Sequence, residues 1–195
     1  MKLEKNFILL TVIFINFFLI LTYASTSDRT DALDLKDKSE KGVKQLEIVV
    51  KNFGDKSDVS AYEKGLSLIK AGNVNILQSN FLDASAKFNE YLKLEYDTYK
   101  SLATKYIQRT ETLINEISND MVDNISNDAI LKNFTTAKSH LENAKLSFNT
   151  KHYQDVVMSV RIAKKYLLSN YDLVGKKIPD QYEKDFTDNQ DKIYQ

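Results

Sequence analysis

The chain has no cysteine and no tryptophan, and only one proline, five glycines and two histidines among 195 residues. Without cysteine there is no disulfide, no thiolate nucleophile and no cysteine-ligated zinc, so the fold rests on its core alone. So little proline and glycine leaves long stretches without a helix breaker. Strand-like alternation is rare as well, and together these predict an all-α fold. An excess of charge of one sign is also missing: 27 basic residues stand against 27 acidic ones, with no basic block. That leaves no electrostatic footprint for nucleic acid. His140 and His152 do not form an HExxH pair, and solvent-facing or packing roles fit them better than metal binding. No GxGxxG, GxxxxGKS/T or GxSxG occurs, so no catalytic, cofactor-binding or metal residue is expected.

What is present begins with an export signal. Lys2 and Lys5 precede an apolar run, Phe7 to Leu21, broken only by Thr11 and Asn16 and followed by small residues at Thr22, Ala24 and Ser25. Residues 1–24 read as a signal peptide cleaved after Ala24. The rival reading, an uncleaved membrane anchor, meets a run of about 15 residues where a span needs about 20. The basic start, against Asp28 and Asp31 after the run, orients the N-terminus to the cytoplasm either way. The expected location is the periplasm or cell envelope in a bacterium, and the exterior otherwise, with membrane association only through the N-terminal segment.

Beyond a mobile polar leader at 25–30, apolar residues recur at helical spacing through a domain spanning 31–175. A first helix covers about 31–52, with Gly54 as a left-handed cap. A second covers 61–79, opened by Ser60 with Glu63 at capping-box spacing. Gly65 and Gly72 sit inside it and predict close approach of a neighbouring helix, or a break near Gly72 and Asn73. The organising stretch is Asn80 to Ile117, free of glycine and proline. It predicts one amphipathic helix of about 55 Å. Helices at 128–149 and 153–174 come after a connector rich in Asn, Asp and Ser, with Gly175 as cap and Pro179 as stop. The architecture expected is two antiparallel hairpins, 61–117 and 128–174, packed along the long central helix. Residues 176–195 read as a polar C-terminal tail that frays, although Tyr182 and Phe186 fit one docking turn. Asp185, Asp188 and Asp191 lack the glycine and alternate oxygens of a calcium loop and read as solvated.

The two hairpins share a spacing. Gly72, Phe81, Ala84, Phe88 and Tyr91 stand 72 residues before Ala144, Tyr153, Val156, Val160 and Ala163. A small residue on the first helix, with an aromatic opening the second, resembles the tetratricopeptide-repeat pattern in degenerate form. The likeness spans roughly 65–99 and 140–168, and the family's tryptophan and glycine-tyrosine features are missing. It implies helical hairpins forming a protein-binding groove and carries over no catalytic residue.

Gly72, Ala84, Phe88, Ala144, Tyr153, Val156, Val160 and Ala163 are therefore the expected hairpin-packing residues. Tyr96 falls off the buried stripe among Lys93, Glu95 and Lys100, and is a candidate interface contact. The function these readings predict is an exported, non-enzymatic scaffold for protein–protein interaction. The alternative is an elongated, self-associating envelope protein joined along 96–117. A ligand binder or enzyme would require a buried cluster of ionisable residues in a deep pocket.

Overall fold

The structure is a computed structural model. It describes the backbone of residues 2–190 and the side chains of residues 27–190. Among the described residues it is all-helical, without strands. The helices are α1 (Lys2–Phe53), α2 (Lys56–Leu77), α3 (Phe81–Asp120), α4 (Asp128–Asn149), α5 (Tyr153–Leu173) and α6 (Glu183–Gln190). Single 3-10 turns stand at Val122–Asn124 and Asp180–Tyr182. The proposed signal segment lies outside the residues whose side chains are described. Among the described residues no helix is long and apolar enough to cross a membrane.

Several boundaries differ from expectation. The leader at 25–30 is helical, as part of α1, because no glycine or proline separates it from Asp31 and the residues beyond. Gly54 does not adopt a left-handed conformation; Gly175, at φ +64°, is the glycine that does. α2 begins at Lys56 rather than Ala61, since Asp55 and not Ser60 caps it. The Asp55 carboxylate accepts from the backbone N–H groups of Ser57 at 2.8 Å and Asp58 at 3.1 Å. α2 then runs unbroken through Gly72. At the start of α4, Asn127 accepts from the Ala129 N–H at 2.9 Å.

Three helices end alike. Ser79, Lys151 and Gly175 have φ of 60°, 64° and 64°. At each, the next residue donates its N–H five residues back: Asn80 to Asn75, His152 to Ser147 and Lys176 to Tyr171. This satisfies carbonyls that a helix end leaves open.

The chain divides into two compact units, Met1–Lys41 with Leu66–Leu92, and Gly42–Gly65 with Lys93–Gln195. In the first, Ala32, Leu68, Ile69, Ala84, Phe88 and Tyr91 are buried. Gly72 admits the Phe88 ring, which would lie 2.6 Å from a Cβ at that position. In the second, Leu46, Val49 and Val50 of α1, Tyr99 to Ile117 of α3, and the inner faces of α4 and α5 form one core. α4 and α5 pack side by side: Phe148 meets Tyr153 at 5.2 Å between ring centres, and Asn133 donates to Asn170 at 2.9 Å.

Candidate functional site

The structure's main departure from the sequence reading is at the C-terminus. Residues 180–190 do not fray. Tyr182, Asp185 and Asp188 are buried within the second unit. Asp191 lies outside the described residues. The solvated-tail reading fails because α5 and α3 supply matched cations under α6.

Lys164 is the centre of this cluster. It is 0% exposed, and its ammonium lies 2.6 Å from Asp188 Oδ2 and 3.4 Å from Asp185 Oδ1. The same ammonium stands 4.2 Å from the centre of the Phe53 ring and 4.9 Å from that of Tyr106. Asp188 Oδ1 accepts from the Tyr106 hydroxyl at 2.8 Å and from the Asn52 amide at 2.7 Å. Arg161 lies 3.5 Å from Asp188 Oδ2 and donates to the Asp188 backbone carbonyl. Arg109 grips Asp185 Oδ2 with two N–H groups, at 2.9 and 2.7 Å, and reaches Glu116 at 3.1 Å. Nearby, Tyr171 and Tyr182 both donate to Asp120.

Local sequence explains each placement. On α5 the steps Val157, Arg161, Lys164, Leu168 are four, three and four, so both cations sit on a buried stripe. On α6 the three-residue step from Asp185 to Asp188 puts both carboxylates on one face. Burial pulls the Lys164 ammonium below its usual range, while Asp188 and Asp185 favour its charge. Burial, and then the Asp188 carboxylate, push the Tyr106 hydroxyl far up, so it remains a donor. The cations and carboxylates are thus spent on one another. Of the cluster's ions only Arg161 lines the hollows beside α6, with Met158, Ile162, Lys165 and Asn189 in one, while Leu168, Ile178 and Phe186 are among those lining the other. The chemistry of the cluster is that of docking: it holds α6 through Asp185 and Asp188.

The expected packing residues sit elsewhere. Gly72, Ala84 and Phe88 are buried in the first unit, and Ala144, Tyr153, Val156, Val160 and Ala163 in the second. Tyr96 is partly exposed, with its ring 5.1 Å from that of Tyr153. His140 stacks on Tyr166 at 6.1 Å, and exposed His152 lies 3.6 Å from Asp155. Among the described residues no group of three or more His, Asp or Glu could hold a metal ion.

A second buried acid has a different setting. Glu95 is 6% exposed and lies against Gly42 of α1, where a Cβ would come 2.8 Å from Oε2. Its Oε1 has no hydrogen-bond partner, and burial pushes the carboxyl up to about 7. Sequence reasoning missed both the cluster and this acid. The available signal was charge at stripe positions: Arg161 and Lys164 between Val157 and Leu168, and Glu95 between Tyr91 and Tyr99.

No family model, curated protein or solved structure matches this chain.

Proposed function

We propose that the chain is an exported, non-enzymatic helical scaffold that binds another protein through hairpins of degenerate tetratricopeptide-like form. One observation carries the reading. The turn between α2 and α3 leaves Leu77 85% and Leu82 70% exposed, with Leu66 and Val74 further along α2 also exposed. Leu77 and Leu82 flank one turn, and Leu66 and Val74 lie at helical spacing from Leu77 on the same helix, which exceeds the scattered single residues of an ordinary surface. Support for the repeat form comes from the caps: Ser79 and Lys151 extend the 72-residue offset to a shared left-handed residue.

The alternative, self-association along 96–117, has less to draw on. Tyr99, Leu102, Tyr106, Leu113 and Ile117 are already buried within their own unit. An enzymatic role would need an accessible reactive group, and the buried ions are committed to α6.

The test is capture of partners from the cell envelope by the mature chain, read by mass spectrometry, beside a Leu77→Ser/Leu82→Ser variant. The scaffold reading expects a specific protein retained by the parent chain and lost by the variant. A stable homodimer with no other partner would contradict it and favour the structural alternative.

A further inference from the structure

α6 is short and polar. It has eight residues, and the side chains it buries are Asp185 and Asp188; Phe186 remains 40% exposed. A helix of this length has almost no stability of its own. Its attachment comes from Tyr182 and from ion pairs, which gain Coulomb energy but lose hydration on both sides. The surface beneath it draws on three helices. Arg109 and Tyr106 come from α3, Arg161 and Lys164 from α5, and Asn52 and Phe53 from the end of α1. They present a two-pronged donor for one carboxylate, and an ammonium, an amide and a hydroxyl for a second, three residues along a helix. The aromatic pair of Phe53 and Tyr106, 4.7 Å apart, floors the space between.

We propose that this surface is a receptor cradle, with α6 as its resident ligand. Its partner is an acidic helix of another protein, carrying two aspartates three residues apart, which displaces α6. The inference goes beyond the scaffold reading and adds a second binding surface to the one at Leu77 and Leu82: α6 is an autoinhibitory strap, and the chemistry of this partner is that of the strap it replaces. The incoming helix restores the ion pairs that the strap gives up, so the exchange of one helix for the other is nearly balanced. A modest advantage in the incoming helix then decides it.

The probe is a fluorescein-labelled peptide of residues 179–190, titrated into the full chain and into an Asp185→Asn/Asp188→Asn variant. The variant weakens the resident strap and should bind the peptide at least tenfold more tightly than the parent chain. A peptide with both aspartates changed to asparagine should bind neither. Equal binding to both proteins, or no binding by a variant that still melts cooperatively, overturns the proposal. If the variant fails to fold, hydrogen exchange on the parent chain decides. Amides of 184–190 should open at least a hundredfold more often than those of 157–168, and equal protection overturns the proposal. This test uses no envelope partner, so its failure is distinguishable from failure of the capture experiment.

Discussion

The turn from α2 to α3 and the turn from α4 to α5 place Ser79 and Lys151, 72 residues apart, in the same left-handed conformation with matching cap hydrogen bonds. Below each turn the same offset pairs buried residues: Gly72 with Ala144, Phe88 with Val160, and Tyr91 with Ala163. The two then part. Where α3 has exposed Asn89 and half-buried Leu92, α5 has buried Arg161 and Lys164. Where α5 has buried Leu167, α3 has the buried acid Glu95. Helix lengths and turns follow from local spacing, whereas the use of a face depends on what is laid over it. α6 lies over the face of α5 and turns two cationic positions into buried ion pairs.

The largest effect should come from breaking the feature that only the second helix pair has. Asp188→Ala leaves Lys164 buried without its nearest carboxylate and should lose about 3–5 kcal/mol in urea unfolding. Leu92→Ala, at the position matching Lys164, removes only a half-buried side chain and should lose about 1 kcal/mol.

Glu95 gives the next effect, through pH. The folded carboxyl is pushed up to about 7 from an ordinary 4.5, so the folded state holds the proton more firmly than the unfolded chain. Stability from this group is therefore complete below about pH 4.5 and falls as pH rises through 7. The total is on the order of 3 kcal/mol. Glu95→Gln should remove that slope, read as the difference in urea midpoint from the parent chain at pH 5 and pH 8. An unchanged slope would return Glu95 to an ordinary surface acid.

Smaller effects test the equivalence of the turns. Ala144→Leu overfills the α4–α5 crossing and should lose about 1–3 kcal/mol in a circular dichroism melt. Gly72→Ala should also lose stability, but only about 1 kcal/mol, because the gain in helix propensity offsets part of the clash with Phe88. Smallest of all, Ser79→Gly and Lys151→Gly should each gain up to about 1 kcal/mol, since glycine carries no penalty at positive φ. Opposite signs at the two sites would separate turns that the caps make alike.

Much of the helical framework was legible in sequence. Ile130, Phe134, Ala137, Leu141 and Ala144 recur at steps of four, three, four and three, and all five are buried on α4. The same holds for Tyr153, Val156, Val160 and Ala163 on α5. The cap of α2 was misplaced because Ser60 and Glu63 fit a capping box, while Asp55 gains further from Lys105 at 2.6 Å. Lys105 is 50 residues away, beyond any local pattern. The charge cluster was illegible for the same reason. Apolar periodicity counts Lys164 as an interruption and Asp185 and Asp188 as surface, and only tertiary pairing makes them interior. Tyr182 and Phe186 were the hint that the segment docks, and only Tyr182 is buried.

The central claim is that Lys164 and Asp188 act together to seat α6. A double-mutant cycle of Lys164→Met and Asp188→Leu, read by urea unfolding, tests it most directly. The account predicts that the double variant loses less than the two single losses combined, by at least about 1.5 kcal/mol, because each single change strands the other's charge. Losses that add to within about 0.5 kcal/mol would contradict it.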